Sequence, residues 1–230
     1  MVIIIAHRGA SYIEPENTLR SFRKALDMGA DAIEFDVRFS KDNIPIIIHD
    51  DTVDRTTNGK GKVNNMLFSE LRKLDAGMGE QIPTLQEALN LIDRKALILI
   101  ELKERYHEDI ILKEVLLRNL LDNVIFISFH YDVLNHLRNL NNNVKTGYLY
   151  YKPPAPINEA SQNNAFAILP RYNMISSRII TWAHSKGLKV YAWTVDDPNK
   201  AMELVKEGVD GIATNKPDII KNVVKNFKHA

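Results

Sequence analysis

His7, Arg8, Glu34, Asp36, His49, Glu101 and Lys103 each stand at or just past the end of an apolar, β-branched run. Two imidazoles can exchange protons near neutrality, three carboxylates can hold a hard cation, and two cations can bind phosphate. The set is nearly complete for hydrolysing a phosphodiester, and no other segment is as concentrated chemically. In Glu34-Phe-Asp36 the i, i+2 spacing points both carboxylates to one face of a strand. Inside a barrel or against its helices, that face does not suit unpaired charge. Interior Arg or Lys could neutralise the pair, but two acids on one strand with Glu101 on the next exceed ordinary pairing. Crowded carboxylates would be pushed up in pKa unless a cation offset their repulsion. The reading therefore favours a divalent metal held by Glu34, Asp36 and Glu101. In Glu101-Leu-Lys103 the same alternation sets Lys103 beside Glu101, so cation and phosphate sites should adjoin.

His7 alone would read as an ordinary rim residue. Paired with His49, and with an unperturbed pKa near 6.5, it can serve as one half of an acid–base couple. His107, His136, His184 and His229 are expected at the surface, and His130 is a weak rim candidate. Trp193 ends a strand, where it either walls a pocket or caps the core.

Positioning these groups requires strands whose ends converge. Apolar runs of strand length alternate with segments of helical period, the pattern of βαβ units. Eight strands are predicted, at Val2–Ala6, Ala32–Arg38, Ala96–Leu102, Val124–Ser128, Lys145–Leu149, Ala165–Leu169, Lys189–Thr194 and Gly211–Thr214. Helices are predicted at Thr18–Met28, Leu85–Asp93, Glu108–Leu121, Tyr131–Leu140, Ile175–Lys186, Pro198–Glu207 and Pro217–Phe227, with a weak stretch at Pro156–Gln162. The fold class is α/β, a TIM (β/α)8 barrel. A ninth run, Ile44–His49, follows the second strand too closely for a parallel crossover and should return antiparallel. That hairpin brings His49 level with Glu34 and Asp36. Residues 50–82 read as a short, irregular insertion over the barrel mouth, between the second and third barrel strands, within a single domain spanning 1–230.

Composition agrees with one large core. The chain has 230 residues, 45% of them apolar, and such barrels run to roughly 250 residues. Its 30 basic and 29 acidic residues nearly cancel, and there is no basic arm for nucleic acid. The apolar start lacks the basic leader of a signal peptide, and no run approaches the roughly 20 apolar residues of a membrane span. With no cysteine there is neither disulfide nor thiol chemistry. A soluble cytoplasmic protein without stable membrane insertion is the expectation, and a homodimer is left open.

Read in order, His7-Arg8-Gly9, Pro15-Glu-Asn-Thr18, Glu34-Phe-Asp-Val37, His49-Asp50, Asp54-Arg-Thr-Thr-Asn-Gly59, Leu74-Asp-Ala-Gly77, Ile82-Pro-Thr-Leu85, Glu101-Leu-Lys103, Trp193-Thr194 and Gly208-Val-Asp-Gly-Ile212 form an ordered set across almost the whole chain. In that set the chain resembles the glycerophosphodiester phosphodiesterases. The resemblance implies a barrel with an insertion after its second strand. It also implies metal-dependent hydrolysis of a small glycerophosphodiester to glycerol 3-phosphate and an alcohol. His7 and His49 would be the acid–base pair, and Glu34, Asp36 and Glu101 the ligands of a divalent cation, magnesium, calcium or manganese. Arg8 and Lys103 would hold the phosphate, Glu16 and Asn17 would support the pocket near the first loop, and Trp193 would contact the glycerol or its leaving group. Asn215 stands where the family commonly carries Asp, so a charge is absent there.

Three other classes fit parts of the pattern. A lysophospholipase D or phospholipase C-like enzyme would act on lipid and would show an apolar rim. A non-catalytic barrel would bind phosphodiesters without turnover, against which both histidines and all three acids argue. An aldolase or isomerase would share the fold, which hosts many chemistries, but facing histidines with Arg8 and Lys103 favour phosphoryl chemistry.

Overall fold

The β-branched runs alternate between two environments, and that alternation builds the molecule. In the computed structural model, which describes residues 2–227, the strands are β1 (Ile3–His7), β2 (Ala32–Phe39), β3 (Pro45–Ile47), β4 (Leu97–Leu102), β5 (Val124–Ser128), β6 (Lys145–Tyr150), β7 (Ala167–Pro170), β8 (Lys189–Ala192) and β9 (Gly211–Thr214). Strands β1, β2 and β4 to β9 run parallel in that order, and β9 pairs back onto β1 to close the barrel. One set of side chains, including Ile5, Ala32, Leu99, Ile127, Leu169 and Tyr191, fills the interior. Their neighbours, including Ile4, Ile33, Phe35, Ile98 and Ile100, pack outward against helices. Both faces are covered, as a parallel sheet requires.

The outer layer comprises α1 (Leu19–Asp27), α3 (Leu85–Ile92), α4 (Glu108–Leu117), α5 (Tyr131–Leu140), α6 (Ile157–Gln162), α7 (Ser177–Ser185), α8 (Pro198–Glu207) and α9 (Pro217–Phe227), with α2 (Phe68–Leu71) in the segment after β3. Caps fix where several begin. Thr18, Thr84 and Ser176 accept backbone N–H groups of the first turns of α1, α3 and α7, and Pro198 opens α8 behind the Asp197 cap. None of these helices is long and apolar enough to cross a membrane, among the described residues.

The weak stretch after the fifth barrel strand is a helix, α6, which buries Ile157 and Ala160. The helix expected to reach Leu121 ends at Leu117, because Asn119 turns left-handed and Leu120 drops into the core. The strand expected to reach Thr194 ends at Ala192. His229 lies outside the described residues.

Strand β3 pairs antiparallel with β2, Ile47 opposite Val37 and Ile46 opposite Arg38, as the short link requires. The segment that follows is more ordered than its irregular sequence indicates. It contains a 3-10 turn at Val63–Asn65 and the α2 turn. Val53, Val63, Leu71 and Ile82 bury themselves with Ile46 and Ile48 in an apolar cluster separate from the two barrel layers. The scattered spacing of those residues gives no helix or strand period, which is why the sequence pattern hides the cluster.

Asp210, just before β9, ties two strands and a helix together. Its carboxylate accepts the Val190 N–H at 2.9 Å, the Lys189 ammonium at 3.0 Å and His184 Nε2 at 2.8 Å. Burial opposes its charge, but the bonds from Val190, His184 and Lys189 hold the carboxyl below its usual pKa. A depressed pKa contributes stability above the unfolded value near 3.9 that disappears as pH falls through the folded one. Asp210→Asn is expected to cost about 1.5–3 kcal/mol at pH 7 in urea unfolding. The gap between variant and wild type should narrow below about pH 3.9, and a gap that is constant with pH would deny the charge its role.

Candidate active site

The candidate residues gather at the carboxyl ends of the barrel strands, where such barrels place their active sites. Pairing across the strands sets the heights: His7 lies opposite Glu34, and Asp36 opposite Glu101. After β1 the chain reverses sharply, with Arg8 at φ 56° and Gly9 at φ 82°. A Cβ on Gly9 would come within 2.7 Å of the Ser21 backbone, so only glycine fits. The turn is held from behind by Asn17 N–H and Ser21 Oγ, both donating to the Arg8 carbonyl at 3.0 Å.

Glu34, Asp36 and Glu101 are buried, and one oxygen of each lies within 4.8 Å of the others. The duller expectation of interior pairing is partly right. Asp36 has Arg8 Nε at 3.2 Å and Lys103 Nζ at 3.0 Å, and Lys103 also reaches Glu101 at 2.6 Å. Glu34 accepts the Arg8 backbone N–H at 3.0 Å. Among the described residues three carboxylates thus share two cations, and Arg8 is further divided with Glu16 at 3.0 Å. Burial opposes the charge of Asp36, yet Lys103 and Arg8 hold it far below the usual carboxylate range. Burial, then Asp36 and Glu101, push Glu34 well above it, and burial also raises Glu101 against the pull of Lys103. An all-oxygen donor set with a surplus negative charge suits a hard divalent cation.

The two histidines are backed differently. His7 Nδ1 lies 2.8 Å from Asn215 Oδ1, and burial, reinforced by Arg8, lowers its pKa to about 4. His49 Nδ1 lies 2.6 Å from Asp50 Oδ1; burial, with Lys103 and Arg8, lowers its pKa while Asp36 and Asp50 oppose the shift. Asp50 is gripped by Arg55 at 2.7 and 3.1 Å, and Arg55 closes on Glu16 through two 2.8 Å bonds.

A cavity of about 290 Å³ opens beside these groups. His7, Arg8, Glu34, His49, Glu101 and Lys103 line one side, and Phe129, Tyr151, Trp193, Leu149 and Leu169 the other. Phe129 meets Tyr151 and Trp193 edge-on at 5.7 and 5.6 Å, and Trp193 Nε1 donates to the Leu169 carbonyl at 2.7 Å. Trp193 is therefore a pocket wall, not a core cap. Glu16 and Asn17 stand behind the cavity instead of lining it: Glu16 bonds Arg8 and Arg55, and Asn17 Nδ2 donates to Asp36 Oδ2 at 2.8 Å. His130 half-buries itself at the start of α5 without lining the cavity, and His107 stacks on Phe39 at 4.2 Å.

In the sequence Asp50 and Arg55 stand only within matched stretches, without a role, Phe129 and Tyr151 are not singled out, and Asn215 reads as a lost charge. Phe129 and Tyr151 continue the inward alternation of Ile125–Ile127 and Gly147–Leu149, a signal that was available. Nothing local brings Arg55 to Glu16, because the folded insertion does that.

The glycerophosphoryl diester phosphodiesterase family matches residues 7–219. The chain is 37% identical over 237 residues to the glycerophosphodiester phosphodiesterase of Caldanaerobacter subterraneus subsp. tengcongensis, covering 97% of this chain and 98% of that protein. Among solved structures, an Oleispira antarctica phosphodiesterase in complex with its product sn-glycerol-3-phosphate superposes with a TM-score of 0.89 at 30% identity, over 97% of this chain and 96% of the other. A glycerophosphodiester phosphodiesterase from Agrobacterium tumefaciens superposes with a TM-score of 0.86 at 31% identity, over 96% and 100%. With the barrel, the acid cluster and the histidines in place, these matches show that the chain belongs to the glycerophosphoryl diester phosphodiesterase family and is an enzyme of it.

Proposed function

We propose that this enzyme hydrolyses a small glycerophosphodiester to glycerol 3-phosphate and an alcohol, with His7 and His49 transferring the protons. The observation that carries this reading is the convergence of both histidines, Arg8 and Lys103 on one cavity beside the three acids. The product held by the Oleispira antarctica relative supports the glycerol phosphate half. Glu34, Asp36 and Glu101 would hold a divalent cation, which when bound would neutralise phosphate charge as a Lewis acid.

Arg8 and Lys103 bind phosphate oxygens and counter the charge that builds during transfer. His7, neutral at pH 7, accepts the proton of the nucleophile, either water or the glycerol 2-hydroxyl, the latter giving a cyclic phosphate that a water then opens to glycerol 3-phosphate. As the nucleophile's bond to phosphorus forms, the bond to the alcohol oxygen breaks. His49 gives the departing oxygen its proton, and the Asp50 carboxylate facing its Nδ1 opposes the lowering of its pKa by burial. Glu16 and Asn17 keep Arg8 and Asp36 in place. The aromatic wall takes the uncharged part of the substrate.

A lipid-bearing alcohol is the second reading, favoured by exposed Tyr12 and Ile13 after β1, Tyr106 after β4 and Tyr151 after β6. Turnover of a lysophospholipid at a rate matching small diesters would support it.

His7→Ala and His49→Ala are each expected to lose on the order of 10²–10⁴-fold in kcat on an alkyl diester, measured as glycerol 3-phosphate released. On an aryl diester, whose phenolate leaves without a proton, His49→Ala should recover much of its rate and His7→Ala should not. Equal losses on both substrates would refute the division into acid and base. Trp193→Ala is expected to reorder the ranking of head groups while leaving cation dependence alone; an unchanged ranking would remove Trp193 from substrate contact.

A further inference from the structure

His7 meets Asn215 across the seam where β1 pairs with β9. Which end of the Asn215 amide faces His7 is decided on its far side. Asn215 Nδ2 donates to Asp196 Oδ2 at 2.6 Å, and a carboxylate oxygen accepts. The NH2 group must therefore turn to Asp196 and the amide oxygen to His7. Asp196 Oδ1 accepts the Asn215 backbone N–H at 2.8 Å and the Thr214 hydroxyl at 2.9 Å, so the carboxylate is itself fixed. Ser11 Oγ lies 2.7 Å from the His7 carbonyl and 2.8 Å from Asn215 Oδ1, with one proton to give to either. An amide oxygen can only accept from the ring, so neutral His7 carries its proton on Nδ1 and leaves the Nε2 lone pair free.

We infer that Asp196 is a positioning residue: acting through Asn215, it fixes His7 in the tautomer whose Nε2 can accept a proton. Asp196 lines a separate cleft with Tyr172, Thr194 and Lys200 and does not line the cavity that holds the histidines. The consequence for catalysis rests on His7 being the proton acceptor, while the tautomer itself does not. In this chain the neutral Asn215 accepts the ring proton, and Asp196 supplies the direction that an amide, unlike a carboxylate, needs.

The test exchanges the two groups. Asp196→Asn keeps the shape and can still accept from Thr214 and the Asn215 backbone, but it turns an NH2 toward Asn215. The Asn215 amide should then flip and present its own NH2 to His7 Nδ1. The ¹⁵N NMR spectrum of the His7 ring in the substrate-free protein is expected to shift from the Nδ1–H to the Nε2–H tautomer. On the alkyl diester kcat should fall about three- to tenfold, the ratio set by one net hydrogen bond, with little change in KM. Adding Asn215→Asp to Asp196→Asn should restore the Nδ1–H tautomer and most of kcat, because a carboxylate accepts from His7 and from the amide at 196 at once. If His7 keeps Nδ1–H in Asp196→Asn, or if the folded double variant does not regain it, the inference is overturned. A tautomer that shifts and returns as expected while kcat stays constant would instead uphold the positioning by Asp196 and refute His7 as the base.

Discussion

Surplus negative charge at the carboxyl end of the barrel is the constraint on which the site depends. Acidic and basic groups alternate from Asp50 through Arg55, Glu16, Arg8, Asp36 and Lys103 to Glu101, each within ion-pair distance of the next. At its buried end, around Asp36, Lys103 and Glu101, removing one member leaves its neighbours buried and unpaired, whereas the Asp50–Arg55 end meets solvent. Glu34 is the member without its own share. The Arg8 backbone N–H holds it, and burial with two neighbouring carboxylates penalises its charge. The same chain fixes Arg8 and Lys103 at the edge of the cavity, the preorganisation that the proposed phosphate binding would require.

The cavity divides by strand. Side chains from β1, β2 and β4 and the β3 hairpin supply the polar half, whereas those that follow β5, β6 and β8 supply the aromatic half. A phosphodiester has the same division, an anionic centre flanked by an alcohol of variable character. Under the proposed function, the aromatic half would set the accepted alcohol separately from the groups on the polar half.

The barrel and its acids were legible in the sequence because both depend on a period of two. Glu34 and Asp36, like Glu101 and Lys103, share a face for the same reason that Ile3 and Ile5 do. The hairpin was legible because Ser40-Lys-Asp-Asn43 is too short for anything else. The support behind the histidines was not. Asn215 reaches His7 only once the barrel closes, a contact 208 residues apart in sequence, and Arg55 reaches Glu16 only once the insertion buries its own apolar cluster. Family resemblance placed Glu16 and Asn17 near the pocket, but only the fold shows that they hold other side chains and not the cavity wall.

The central claim, that a divalent cation completes this charge arrangement through Glu34, is tested most directly by thermal unfolding of wild type and Glu34→Gln after chelation, with and without added magnesium, calcium or manganese. Without cation, Glu34→Gln should be at least as stable as wild type, since it relieves like-charge repulsion in a buried site. At a hundredfold excess over its dissociation constant, the preferred cation should raise the wild-type midpoint by about 5–10 °C and Glu34→Gln by far less. Equal shifts in both proteins, or none in either, would contradict the account.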